Sequence, residues 1–161
     1  MLSLSKKADY ALLALSYLAH SEAGRAVNTK EIAEQYSIPG ELLAKILQRL
    51  AKAQLVVSTP GPTGGYRLAR APETISIGSV VAAIDGAPAI TQCMKADGNA
   101  CGQHDRCTVR LPLARINTRI LQMLELISIA EISRDETPQT DIAVRLHPSR
   151  PMERLKTTAS S

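Results

Sequence analysis

A chain of 161 residues with 45% hydrophobic residues has room for one compact domain plus an extra element, and is too apolar for a disordered chain. Aromatic residues make up only 2%, four tyrosines with no tryptophan or phenylalanine, so the core must be aliphatic, which suits closely packed helices. The formal net charge is +4, and the whole excess falls in residues 1–70, where nine Lys/Arg stand against five Asp/Glu. That asymmetry points to a polyanion partner for the N-terminal part, beside the plainer reading of a solvated basic face.

Lys6 and Lys7 followed by Ala8–Ala19 loosely resemble a signal peptide, but Asp9, Tyr10, Ser16 and Tyr17 interrupt the apolar run. Nothing approaches the roughly 18–20 apolar residues that span a bilayer. The segment is expected to be a core helix of a cytoplasmic protein with no membrane partner. Tyr10, Leu13, Ala14, Tyr17 and Leu18 fall on one helical face, Leu12 and Leu15 add a second, and Gly24 is expected to stop the helix.

Asn28 is a good N-cap for a short helix over about 28–36, with Glu31 placed to reach back to an unpaired backbone N–H. A tight turn at 36–38 leads to Pro39, which opens a third helix to about residue 53. Its buried stripe is Leu42, Leu43, Ile46, Leu47 and Leu50; Glu41, Lys45, Gln48, Arg49 and Lys52 lie largely off it. Two short helices joined by a tight turn, the second polar outside, read as a helix-turn-helix. Leu55–Ser58 then reads as a strand, Pro60–Gly65 as a glycine-rich loop and Tyr66–Ala69 as a return strand, together a wing.

A recognition helix needs donors and acceptors for base edges among cations for phosphates. Glu41 suits cytosine N4, Gln48 suits adenine, Lys45 and Arg49 suit guanine or phosphate, and Lys52 adds charge. On the wing, Thr63, Tyr66 and Arg67 are candidates for backbone or minor-groove contact, with Gly64 and Gly65 allowing close approach. Double-stranded DNA is the expected partner; a protein-binding winged helix is the competing reading.

Ser76–Asp85 is one more short helix, with Gly86 as its stop. Residues 87–108 form a loop holding every cysteine, spaced Cys93-x7-Cys101-x5-Cys107 among Gly, Asp and Asn. Apolar packing is a poor account of thiols in such surroundings, and an odd count argues against structural disulfides. What remains is a soft-metal site, zinc or iron–sulfur, or a metal-free thiol redox switch. The gaps exceed those of zinc knuckles, which tilts the reading towards a cluster. Val109–Ile127 is a long amphipathic helix with Leu113, Ile116, Ile120, Leu124 and Ile127 in a stripe, and a two-fold homodimer is the simplest way to cover it. Packing back on its own domain is the alternative.

The fold class is therefore mainly α: a winged helix-turn-helix domain with a small β-hairpin wing, plus a long C-terminal dimerisation helix. The expected divisions are the DNA-binding domain at 1–86, the cysteine-bearing loop at 87–108, the dimerisation helix and a short terminal helix at 109–133, and a disordered tail at 134–161. No nucleophile–base pair, nucleotide loop or HExxH-type motif argues for an enzyme.

Asp9-Tyr10-Ala11-Leu12, Lys30-Glu31-Ile32-Ala33, Leu43-Ala44-Lys45-Ile46-Leu47, Leu50, Leu55-Val56, Gly64-Gly65-Tyr66-Arg67-Leu68 and the three cysteines carry a resemblance to the Rrf-two family of winged-helix regulators, iron–sulfur type, over about residues 1–133. The resemblance implies a homodimer with crossed long helices on a palindromic operator. It also implies a two-iron or four-iron cluster on Cys93, Cys101 and Cys107, and a regulator, expected to repress, that senses iron, redox or nitric oxide status. Two departures stand out. The first two cysteines have seven residues between them where relatives usually have five, and Arg110 stands where some relatives place a ligating His. Asp9 of the partner subunit is the fourth ligand that the resemblance suggests, with His104 behind it.

Overall fold

The computed structural model describes residues 4–22, 24–61, 64–91, 94 and 106–134. In chain order these form α1 (Lys6–His20), α2 (Thr29–Tyr36), α3 (Gly40–Lys52), β1 (Val56–Thr59) and β2 (Gly65–Leu68). A single 3-10 turn (Pro72–Thr74) leads to α4 (Ile77–Asp85), α5 (Arg110–Leu126) and α6 (Ile129–Arg134). This is the mainly helical, winged arrangement expected from the periodicities. No helix among the described residues is long and apolar enough to cross a membrane.

Three helix starts follow the same donor accounting. The first N–H groups of a helix have no partner within it, and a short polar side chain just before the helix supplies one. Ser5 accepts from the Ala8 N–H at 3.1 Å, Asn28 from Lys30 at 2.8 Å and Ser76 from Ser79 at 3.0 Å.

Some local expectations give way. Glu31 does not fold back on the start of α2. Its carboxylate takes the Tyr17 hydroxyl at 2.9 Å and the Arg25 guanidinium at 3.0 and 3.2 Å, a charge-assisted set that fastens α2 to α1. Gly24 is not the stop of α1. The helix ends at Ser21 in extended conformation, whose hydroxyl donates to the Tyr17 carbonyl at 3.0 Å. Gly24, at φ 85°, serves the next turn, where the Arg25 N–H meets the Glu22 carbonyl at 3.0 Å. Pro39 stands just outside α3 as its N-cap, its carbonyl accepting from Leu43 at 3.0 Å.

The wing pairs antiparallel from Val56↔Leu68 to Thr59↔Gly65. A third, single-residue rung joins Val27 to Tyr66 through two backbone bonds of 2.8 Å. A single residue pair has no periodicity by which it could be read from sequence.

The core is aliphatic as composition required: Leu15, Ile32, Leu43, Ile46, Leu47, Leu50, Leu55, Ile75, Val80 and Ile129 are 2% exposed or less. Helices α3, α4 and α6 pack around α1. Leu42, assigned to the buried stripe, is only half-buried. After α5 the chain is sewn back onto the domain: Ile77 donates to the Ile127 carbonyl at 2.9 Å and Ile129 to the Ile75 carbonyl at 2.8 Å. α6, grouped by sequence with the long helix, is thus part of the winged unit's core.

Candidate DNA-reading surface and cysteine segment

α3 presents two unlike faces. Leu43, Ile46, Leu47 and Leu50 fill the core, while Glu41, Lys45, Gln48, Arg49 and Lys52 are all exposed. Glu41, Lys45, Gln48 and Lys52 recur at steps of four, three and four and so form one polar stripe along the helix. Arg49 lies beside it with one guanidinium nitrogen committed, donating to the Ile84 carbonyl of α4 at 2.9 Å.

α2 holds this helix in place. Ser37 adopts the left-handed conformation, φ 51°, which turns the chain sharply, and Ile38 is buried with its N–H on the Ala33 carbonyl at 2.9 Å. The Tyr17 and Tyr36 rings meet edge to face at 6.0 Å. Bonding to the Glu31 carboxylate, then burial, hold the Tyr17 hydroxyl above the usual phenol range, so it remains a donor.

On the wing, Arg67 is exposed and Tyr66 half-buried against the core; Thr63 lies outside the described residues. Gly64 and Gly65 have a packing reason of their own. A Cβ on Gly65 would overlap the Val27 carbonyl, and one on Gly64 the Thr59 carbonyl. Both glycines are demanded by backbone approaching backbone, whatever else they approach.

Of the sulfur residues, Cys93 and Cys101 lie outside the described residues, as does His104. Cys107 is a half-buried free thiol three residues before α5. Asp9 sits half-exposed in the first turn of α1, lining a shallow groove with Lys6, Tyr10, Leu13 and Ile132. Arg110 is exposed at the start of α5. Among the described residues no three His, Cys, Asp or Glu side chains converge.

The ends of the cysteine segment are nevertheless placed. The Ile90 N–H donates to Asn117 Oδ1 at 3.0 Å, and Asn117 lies about 10 Å along α5 from Arg110. Three extended residues, the separation of Ile90 and Cys93, span up to roughly 10 Å. Ile90, three residues before Cys93, and Cys107, three residues before α5, are thus both tied to one helix, and three thiols are the donor type that a sulfur-ligated cluster takes.

α5 itself holds no fully buried residue. Leu113, Ile120, Leu124 and Ile127 of the expected stripe are half-buried, the first three on the helix that lies along α4, so part of that stripe packs on its own domain. The unpartnered apolar line is Val109 (55% exposed), Ile116 (48%), Met123 (53%) and Leu126 (82%), which shares only Ile116 with the expected stripe and leaves the exposed Leu111 (71%) off it. Steps of seven, seven and three are the spacing of a helix-to-helix seam, a signal that was present in the sequence.

Residues 4–135 match the family described as Rrf2, iron-dependent transcriptional regulator. The chain belongs to the Rrf2 family. Among its relatives is the HTH-type transcriptional regulator IscR of Sodalis glossinidius (strain morsitans), 33% identical over 133 residues, covering 83% of this chain and 79% of that protein. The HTH-type transcriptional regulator NsrR of Bacillus licheniformis is 30% identical over 131 residues, covering 81% and 92%. The solved structure of T. potens IscR superposes with a TM-score of 0.65 at 26% identity, covering 87% of this chain and 92% of that one. Rrf2 proteins are transcriptional regulators, so this chain is a DNA-binding regulator and not an enzyme. The resemblance drawn from the motifs and the winged-helix fold class both hold.

Proposed function

We propose that this Rrf2 protein is a homodimeric repressor of the IscR and NsrR kind, whose grip on a palindromic operator depends on an iron–sulfur cluster held by Cys93, Cys101 and Cys107. One observation carries the reading: α5, with Val109 at its N-cap, bears the exposed seam of Ile116, Met123 and Leu126 and begins three residues after Cys107. The element with an unpartnered apolar line is the one that follows Cys107 in the chain.

On DNA, the polar stripe of α3 enters the major groove. Glu41 accepts from cytosine N4, Gln48 pairs with adenine, Lys45 meets guanine or phosphate and Lys52 phosphate. Thr63, Tyr66 and Arg67 bring the wing to the backbone, with Gly64 and Gly65 setting its shape. A bound cluster supplies one-electron redox chemistry and reactivity towards oxygen and nitric oxide. This chain's residues do the rest. The thiolates would hold the cluster, Asn117 ties Ile90 to α5 three residues before Cys93, and the partner's Asp9 would be a fourth, oxygen ligand. Half-sites are read about one helical turn apart, so a small shift between the two α3 helices changes affinity.

The test is an absorption spectrum of anaerobically purified protein with iron and sulfide counts. Visible absorbance with matched iron and sulfide, lost together in Cys93→Ser, is the expected result. Colourless protein with stoichiometric zinc, or with reversible disulfides and no metal, would replace the cluster with a zinc site or a thiol switch.

A further inference from the structure

The C-terminal end of α4 is held from two sides. From α3, the Arg49 guanidinium donates to the Ile84 carbonyl at 2.9 Å. From the start of α1, the Ser5 hydroxyl donates to Asp85 Oδ1 at 2.7 Å while accepting from the Ala8 N–H at 3.1 Å. Gly86 follows at φ 83°, its N–H on the Ala82 carbonyl at 3.1 Å, and opens the stretch that leads to Cys93. The DNA-reading helix, the first turn of α1 with Asp9, and the chain running to the thiols all meet within three residues.

The chemistry of the Arg49 bond suits a fastening. The last four carbonyls of a helix have no partner inside it, and they form the negative end of its dipole. A guanidinium there meets an orphan acceptor and a favourable field together. α3 is a 13-residue rod, so a shift at its last turns tilts Glu41 and Lys45 at the other end, with the buried Leu43, Ile46, Leu47 and Leu50 as the pivot in the core.

We propose that Arg49 is a positioning residue, and that Ile84–Gly86 is the joint through which the cysteine-bearing segment sets the pose of α3 on DNA. The proposal rests on the reading that operator affinity depends on what the cysteines hold. It assigns Arg49 a role different from base or phosphate contact.

The experiment measures operator affinity of the full-length chain over a salt series, with the cluster reconstituted and with it removed, for the wild type, Arg49→Met and Asp85→Ala. Losing a charge-assisted bond should cost Arg49→Met about tenfold in affinity. It should leave the slope of log affinity against log salt unchanged and shrink the loaded-to-free affinity ratio by roughly fivefold or more. Asp85→Ala, which touches neither DNA nor a ligand, should shrink the ratio in the same direction with cluster absorbance intact. A salt slope reduced by about one, with the ratio preserved, would make Arg49 a phosphate ligand and overturn the proposal. Equal affinities of the two wild-type forms would remove the cluster reading instead, and the salt slope would still decide the role of Arg49. If Arg49→Met does not fold, an unchanged ratio in Asp85→Ala overturns the joint.

Discussion

The winged unit and α5 solve the problem of burial in opposite ways. In the first, α1, α3, α4 and the short α6 close on one aliphatic core within a single chain, with Leu15, Leu47, Val80 and Ile129 fully buried. In the second, 17 residues of helix contribute no fully buried side chain and leave Ile116, Met123 and Leu126 in solvent. An isolated helix of that length is marginal in water, and helices owe most of their stability to tertiary packing of an apolar face. The lesson is that a unit able to close its own core can carry an element with an apolar line left open, and the proposed dimer is what would cover it.

That contrast can be broken from either side. The largest effect is expected from Ile116→Glu combined with Met123→Glu, which puts charge into the exposed seam. The chain should sediment as a monomer yet keep its melting temperature, and operator affinity should fall by roughly 10²–10⁴ as the linkage between half-sites is lost. A dimer that persists would mean that the seam lies elsewhere.

Ile129→Ala probes the self-sufficient side. Truncating this fully buried α6 residue should cost about 2–5 kcal/mol by denaturant titration. A change below about 0.5 kcal/mol, the range of ordinary surface positions, would detach α6 from the core.

Gly65→Ala comes next, because its Cβ meets the Val27 carbonyl and backbone cannot step aside cheaply. Overpacking of this kind costs roughly 1–3 kcal/mol. The Val27 and Tyr66 amides, now paired across the third rung, should exchange faster with solvent; unchanged protection would contradict the close approach.

The smallest effect is expected from Tyr17→Phe, about 1.5 kcal/mol, the lower end for a hydrogen bond to a charged acceptor because the site is only part-buried. The folded hydroxyl titrates above its unfolded value, so its contribution is complete below the unfolded value and lost as pH rises through the folded one. The difference in stability between wild type and Tyr17→Phe should therefore be flat around neutrality and shrink only in strong alkali. A difference that varied between pH 6 and 8 would point to another group.

How much of this was legible follows from where each signal is stored. Helix-turn-helix and wing are local: the Leu43–Leu50 stripe, the Asn28 and Ser76 caps and the Gly64-Gly65 pair each speak within a few residues. The burial of Ile129 is not local, since it depends on Ser128 pairing with Ser76 far upstream. Glu31 looked like a capping-box residue because sequence spacing shows the local N–H but not Tyr17 and Arg25 converging across α1. In α5 both faces are apolar, and the chosen stripe included Leu113, Ile120 and Leu124, which half-pack on the domain, while Val109, Met123 and Leu126 were passed over. The candidate sulfur site rests on residue type alone, since of its three thiols only Cys107 is among the described residues.

The most direct measurement varies the DNA instead of the protein. With an operator selected on the full chain, five base pairs are inserted between the half-sites, turning one by about half a helical turn relative to the other. In the proposed dimer, two α3 helices held by a shared α5 seam cannot follow, so affinity should collapse to that of a single half-site. Affinity indifferent to the insertion would contradict a paired reader altogether.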